Sequence, residues 1–418
     1  MGVGSVNMAF GFSALLMFLF VSLIQPVHSS GEYRIPVYQR DATLFPRNTP
    51  LHLENTRWKY RSWTTRNDIS MRKMLQRRGA VNMEVKAYDT DIEYFTKVQI
   101  GTPPREFKVI LDTGSSDFLV PSVTCKTCSG TMRYDPSASA TYTFDGRAFI
   151  QHFHEGSQAT GHLAADDVLL SHSPPIRVRN QTFGLIEKES AQFDDIAEGI
   201  LGLAFDGMAT VDGWKGPLTM MIEQGIITRA VFSVQLRNGE GELVLGDVKE
   251  KNKGLVYSPL TSEQLWRIKI GKVRAHSHTI HPGIHAAFDT GTTLLLVPPI
   301  IAQRIHARIP GAKLLIQKAN DLGAASGTWA LPCNVAEMVG ESGRNWLEFE
   351  IAGRNLGLPL ADLVREPMPN GVMGTGVKYC ASAVQNIELA FIILGSVFMK
   401  RHYVVFDRDA HRIGIAPS

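Results

Sequence analysis

From about residue 84 onward, short apolar or alternating runs recur between turns of Gly, Pro, Asn and Asp. They fall at Phe95–Ile100, Lys108–Leu111, Val231–Leu236, Glu242–Leu245, Trp266–Ile270 and Tyr403–Phe406. Alternation with period two, or a brief apolar run bounded by turn residues, predicts a β-strand. Helical periodicity is scarce, and Leu218–Gln224 and Ile300–Ile309 carry it best. The body of the chain is therefore expected to be mostly β. Upstream the texture differs. Met8–Ile24 is one apolar stretch closed by Gln25-Pro26, and Glu32–Arg78 is rich in Arg and Pro, poor in alternation, and ends at Arg77-Arg78.

One internal repeat organises the body. The run Val109-Ile-Leu-Asp-Thr-Gly-Ser-Ser-Asp-Phe-Leu-Val-Pro121 returns 177 residues later as Ala286-Ala-Phe-Asp-Thr-Gly-Thr-Thr-Leu-Leu-Leu-Val-Pro298. Each copy is an apolar strand, then Asp-Thr-Gly, then two hydroxyl residues, then an apolar run ending Leu-Val-Pro. A second pair follows: Ile200-Leu-Gly202 comes 88 residues after Asp112, and Ile393-Leu-Gly395 comes 104 after Asp289. Two related lobes are predicted, divided near Lys253. At 418 residues the chain is long enough for each lobe to bury its own core. The organisation read from this is a signal peptide or short signal anchor over residues 1–29, a basic pro-segment over 30–78, an N-terminal lobe over 79–253 and a C-terminal lobe over 254–418.

Charge separates the same parts. The formal net charge is +3, but residues 1–78 hold 11 Lys+Arg against 4 Asp+Glu, leaving 32 against 36 in the remainder. A basic front on an acidic body argues against nucleic-acid binding, which needs the basic face on the folded part. Met8–Ile24 is short for a membrane span and is followed by Ser29, Ser30 and Gly31, which favours a cleaved secretory signal. The positive region that precedes such signals is missing, so an anchor stays open. Of the four cysteines, Cys125 and Cys128 form a Cys-x-x-Cys pair and Cys333 and Cys380 lie far downstream. Zinc would need two further ligands at matching spacing, and none stand nearby, so no metal is expected. In an oxidising compartment two local disulfides, Cys125–Cys128 and Cys333–Cys380, are the better reading. Asn180-Gln-Thr182 is a glycosylation sequon suited to a surface position.

An Asp at the end of a buried strand is unfavourable unless it is hydrogen-bonded. A neighbouring Gly lets backbone N–H groups approach the carboxylate, and Thr offers a hydroxyl and a methyl for packing between lobes. Two such loops meeting on a pseudo-two-fold axis would bring two carboxyls within a few ångströms. Like charges at that range cannot both ionise, so one proton is shared and the apparent pKa values belong to the pair. Such a dyad can deprotonate a water with one carboxylate and protonate a carbonyl oxygen with the other carboxyl. A single Asp-Thr-Gly in a β-protein is usually a turn; two copies in matched flanks point to catalysis.

The chain from about residue 84 to 418 resembles the pepsin-like aspartic endopeptidases, the family of pepsin, cathepsin D and the plasmepsins. Tyr94-Phe-Thr-Lys-Val-Gln-Ile-Gly-Thr-Pro-Pro104, Gly199-Ile-Leu-Gly-Leu-Ala204 and Ile393-Leu-Gly-Ser-Val-Phe398 add to the likeness. The resemblance implies a bilobal, mostly-β fold with peptide or protein substrates bound in an interlobe cleft, no cofactor, and a monomer made as a zymogen in the secretory pathway. It implies Asp112 and Asp289 as the catalytic pair, Thr113 and Thr290 cross-bonding the loops beside Gly114 and Gly291, and Ser115 and Thr292 bonding the outer carboxylate oxygens. It also matches both disulfides, although the Cys125–Cys128 loop is two residues shorter than in the family. The basic pro-segment would lie across the acidic cleft, with Lys59-Tyr60 approaching the dyad and cleavage near Arg78. Secretion or residence in an acidic endolysosome-like organelle is the implied location, with a membrane anchor the alternative.

The flap departs from the family pattern. Where relatives carry a Tyr, counting from Thr141 places Phe153 and counting back from Gly161 places His154; either way the phenol is absent. Leu119 stands where the family has Trp, so both members of a hydrogen-bonded pair are missing together. His152, His154 and His162, and His276, His278, His281 and His285, are expected as turn and surface residues. A catalytically silent binding fold is the other class of function, and intact Asp, Thr and Gly in both loops argue against it.

Overall fold

Alternation becomes strand in this chain wherever one face can be buried. In the computed structural model the described residues are 33–39, 94–152, 158–172, 175–190, 197–237, 240–248, 254–316, 327–340, 345–368 and 376–418. The apolar stretch 8–24, Lys59-Tyr60, Arg77-Arg78, and Phe153 and His154 of the flap lie outside them. The first half contributes β1 (Tyr33–Gln39), β2 (Tyr94–Ile100), β3 (Arg105–Asp112), β4 (Phe118–Pro121), β5 (Thr143–His152), β6 (Gln158–His172), β7 (Pro175–Glu189), β8 (Gly199–Gly202), β9 (Val231–Leu236) and β10 (Glu240–Leu245). In β2, Tyr94, Thr96, Val98 and Ile100 are buried and alternate with the more exposed Phe95, Lys97 and Gln99, as a half-buried strand requires.

The largest sheet among the described residues runs Val256–Pro259, Arg412–Pro417, His402–Asp407, β9, β10, β1, β2, β3, β8, β4, β7, β6, β5. Chain from both halves therefore shares one sheet. Smaller sheets fill out the second half. The sequence repeat is also a repeat of topology. β3 runs parallel to β8, with Asp112 opposite Gly202, and β4 returns antiparallel on the other side of β8. In the second copy Ile284–Phe288 runs parallel to Phe391–Leu394, with Phe288 opposite Leu394, and Leu295–Val297 returns antiparallel. The first central strand ends at Gly202 and the second is followed by Gly395, because backbone crosses there: a Cβ on Gly202 would lie 2.4 Å from the Ser116 carbonyl carbon, and one on Gly395 2.3 Å from Leu294 O.

Several elements differ from the sequence reading. β1 lies in a stretch that reads as poor in alternation, yet Ile35 and Val37 are buried on one face, and the strand sits between β10 and β2. Pro36, a residue normally kept to sheet edges, hides that pattern. β6 and β7, 15 residues each, escape because their pairing shifts register between Thr160 and Gly161, between Asp166 and Val168, and between Leu169 and Ser171. Each shift flips the faces and breaks the period of two. The two expected helices form as Pro217–Glu223 and Pro299–His306, both opened by a proline at the position where a missing N–H is harmless.

The main core spans both halves. Trp266 is buried at its centre, with ring contacts to Phe205 at 4.6 Å, Phe406 at 5.2 Å and Phe232 at 5.5 Å. The cysteines pair as Cys125–Cys128 and Cys333–Cys380. No helix among the described residues is long and apolar enough to cross a membrane.

Candidate active site

Both Asp-Thr-Gly turns leave a buried strand at its last residues and return at once, which turns their carboxyls into the molecule's interior. Asp112 is 5% exposed and Asp289 is fully buried. Locally the two loops are copies. Gly114 N–H donates to Asp112 Oδ1 at 2.9 Å, and Gly291 N–H donates to Asp289 Oδ1 at 3.0 Å. Ser115 Oγ donates to Asp112 Oδ2 at 2.5 Å, and Thr292 Oγ1 donates to Asp289 Oδ2. Each carboxylate thus accepts at least one backbone and one hydroxyl hydrogen bond, which fix its plane.

The threonines join the loops. Thr113 N–H donates to Thr290 Oγ1 and Thr290 N–H to Thr113 Oγ1, both at 3.0 Å. Thr290 Oγ1 donates to Leu111 O at 2.6 Å, and Thr113 Oγ1 donates to Phe288 O at 3.1 Å. The glycines then bring each carboxyl against the other loop. A Cβ on Gly114 would lie 2.5 Å from Asp289 Cγ, and one on Gly291 would lie 2.5 Å from Asp112 Oδ1. Only a residue without a side chain fits at either position. The structure therefore brings together Asp112, Thr113, Gly114, Ser115, Asp289, Thr290, Gly291 and Thr292 in one cluster.

Support beyond the motifs was not legible in the sequence. Leu203 N–H donates to Asp112 O at 2.8 Å, and Asp289 N–H donates to Leu394 O at 3.2 Å. Buried Asp117, which follows the first loop, accepts from Thr210 Oγ1 at 2.6 Å, whereas apolar Leu294 holds the matching place in the second copy. Leu119, at the position of the family's Trp, is buried against Phe149 and Trp214, and the Trp214 indole donates to Thr182 O at 3.2 Å.

Beside the end of β7, the Cys125–Cys128 loop is closed by Arg133. Its guanidinium donates to the carbonyls of Cys125, Cys128, Ser129, Gly130 and Met132 at 2.6–3.1 Å. Under that loop lies Glu189, 2% exposed, at the end of β7 and opposite Ala159. Its Oε2 accepts from Ser129 N–H and Ser129 Oγ–H, both at 3.0 Å, while Oε1 has no hydrogen-bond partner among the described residues. Burial pushes the Glu189 carboxyl up to about 7 against the opposing pull of the Ser129 bonds and Arg133.

His162, His276 and His278 lie in turns or at the surface. His162 pairs with Glu187 at 3.1 Å, and His276 and Ser277, both at positive φ, make the tight turn between Val273–Ala275 and His278–His281. Among the described residues no group of three His, Cys, Asp or Glu side chains is placed to hold a metal ion. Asn180 is exposed at a bulge of β7, with φ +48°.

Residues 93–418 match the family described as eukaryotic aspartyl protease. Rhizopuspepsin-1 of Rhizopus niveus is 35% identical over 339 residues, which cover 79% of this chain and 80% of the relative. Gastricsin of Homo sapiens is 33% identical over 384 residues, 88% of each. With two Asp-Thr-Gly loops meeting as described, the chain belongs to the eukaryotic aspartyl proteases, the pepsin-like endopeptidases that hydrolyse peptide bonds.

Proposed function

We propose that Asp112 and Asp289 hold one water between them and use it to hydrolyse peptide bonds of substrates lying between the lobes. The observation that carries this reading is the reciprocal fit of Gly114 on Asp289 and Gly291 on Asp112. It leaves two carboxyls on facing loops, each held by a backbone N–H and a hydroxyl. One carboxylate takes a proton from the water as it attacks the carbonyl carbon, and the protonated partner gives its proton to the carbonyl oxygen. The proton taken from the water then passes to the leaving amine as the C–N bond breaks, the tetrahedral diol returns a hydroxyl proton to the other carboxylate, and no covalent intermediate forms. Because one chain supplies both loops, the monomer is the working unit.

The chain is made as a zymogen in the secretory pathway, with residues 1–29 as its signal or anchor and 30–78 as its pro-segment. The uncharged apolar leader, the two disulfides, the exposed sequon at Asn180 and the +7 balance of residues 1–78 support this. An acidic compartment suits the dyad, since protonation of acidic-body carboxylates loosens a basic segment lying across the cleft.

The test is peptide cleavage by the purified proprotein between about pH 3 and pH 7. It is run with and without a statine-type inhibitor, beside Asp289→Asn, with mass spectrometry of the N-terminus. The expected result is inhibitable turnover that vanishes in Asp289→Asn while its circular dichroism is unchanged, with a new N-terminus near Arg78. Turnover retained in Asp289→Asn would sink the dyad assignment.

A further inference from the structure

Between the two catalytic loops stands one side chain that belongs to neither motif. Trp266 is 1% exposed and lies beside the strand Arg267–Ile270, which pairs with Ile284–Phe288, the strand that delivers Asp289. Its backbone carbonyl accepts from Phe288 N–H at 3.0 Å, one residue before Asp289. Its indole N–H points the other way and donates to Leu203 O at 2.9 Å, a buried bond between residues 63 apart in sequence. Leu203 in turn donates its N–H to Asp112 O at 2.8 Å. A single residue is thus tied directly to the stem of the second loop and, through Leu203, to the carbonyl of the first catalytic Asp.

The indole has no freedom to follow a loop that drifts. Phe205, Phe406 and Phe232 contact it, and Phe205 extends the same segment that begins at Leu203. Ala204 N–H donates to Ser115 O at 2.9 Å, so the residues flanking the indole's acceptor also grip the first loop beyond its Gly. In the second copy Ser396 N–H grips Thr292 O at 2.7 Å in the same way, and the indole bond adds a link that reaches from the second half into the first.

We propose that Trp266 is a positioning residue for the catalytic pair, setting the separation of the Asp112 and Asp289 carboxyls through its hydrogen bonds to Leu203 and Phe288. This rests on the two-carboxylate reading above. It touches neither substrate nor the reacting atoms. Its effect is on the coupling of the two carboxyls, because the repulsion that raises the second apparent pKa and the shared-proton hydrogen bond that lowers the first both weaken with distance. A strut that loosens lets the loops part, draws the two values together, and narrows the bell-shaped pH profile from both sides.

The experiment compares kcat, KM and the pH profile of the mature enzyme for wild type, Trp266→Phe and Phe406→Leu. Trp266→Phe keeps a ring against its aromatic neighbours and removes the N–H donor. Phe406→Leu removes packing on the same indole and leaves both hydrogen bonds. The expected result for Trp266→Phe is about a tenfold lower kcat with KM unchanged, and each limb of the profile moved inward by about half a pH unit. Phe406→Leu is expected to unfold at lower temperature with its limbs where wild type has them. Limbs that stay put in Trp266→Phe, or move equally in Phe406→Leu, overturn the proposal. If Trp266→Phe does not accumulate folded, a tryptophan analogue with sulfur in place of the indole N–H keeps the ring's volume and gives the same reading. Wild-type turnover with an inactive Asp289→Asn in the same assay separates failure of the strut from failure of the dyad.

Discussion

Thr290→Val tests the bond system that holds the two loops to one another. Valine matches threonine in shape and deletes only the hydroxyl. That hydroxyl donates to Leu111 O at 2.6 Å and accepts from Thr113 N–H at 3.0 Å, and the site is buried on all sides. The substitution leaves a carbonyl and an N–H in the interior without these partners, at about 1–3 kcal/mol each, so about 4 kcal/mol in all. Against a total stability of about 5–15 kcal/mol that is a large fraction. Thr113→Val removes a donor to Phe288 O and an acceptor for Thr290 N–H, and should be similarly damaging. The double variant should lose nearly the sum, because the two hydroxyls serve four different backbone groups and face each other only at 3.5 Å. Thr290→Ser keeps both bonds and loses one methyl, about 1 kcal/mol. Urea unfolding followed by circular dichroism measures all four, with turnover alongside. Thr290→Val within about 1 kcal/mol of Thr290→Ser, with full turnover, would show that the hydroxyls are not what holds the loops.

Two further expectations concern pH. His306 is buried, with Nδ1 donating to Ala302 O at 2.7 Å and Nε2 accepting from Ser382 Oγ at 2.8 Å, and burial pulls it down to about 4. The unfolded imidazole takes its proton near 6.5, so this stability is whole above that pH and is lost as pH falls toward 4, by about 3 kcal/mol. His306→Gln should flatten the stability curve between pH 6.5 and 4, and parallel curves for variant and wild type would refute it. Glu189 carries the opposite sign: raised to about 7, it contributes stability that is whole below its unfolded value near 4.5 and lost as pH rises through 7. Glu189→Gln should therefore outlast wild type at pH 7.5, and hydrogen exchange over residues 122–134 should show where; equal exchange in both would refute it.

Each Asp-Thr-Gly loop was legible because its own hydrogen bonds are local. Gly114, Ser115 and Asp112 bond within three residues of each other and the second copy repeats them, whereas the bonds that join the loops run between Thr113 and Thr290, 177 residues apart. The strands that lead into them were legible as short apolar runs bounded by turn residues, Val109–Leu111 and Ala286–Phe288, which are buried throughout. Trp266 and Glu189 were not. The first bonds to a residue 63 positions away and the second to one 60 away, and neither distance leaves a mark on neighbouring residues. Trp266 reads as the apolar start of a strand, and Glu189 reads as one more charge between Lys188 and Ser190. β6 and β7 were lost to bulges, which insert residues without changing composition.

β1 has a consequence for any form of the chain that lacks it. The strand pairs along Tyr33–Tyr38 with β10 and at Tyr38 and Gln39 with β2, filling a slot in the interior of a sheet. Taking away an outer strand exposes one row of unpaired backbone; taking away this one opens two rows facing each other, and uncovers the seats of Ile35 and Val37. Such a gap is a template for extended peptide, with hydrogen-bonding groups on both walls and an apolar floor. A cleaved chain would have to close it with another stretch of its own sequence, keep the severed strand as a noncovalent subunit, or become sticky toward its own kind.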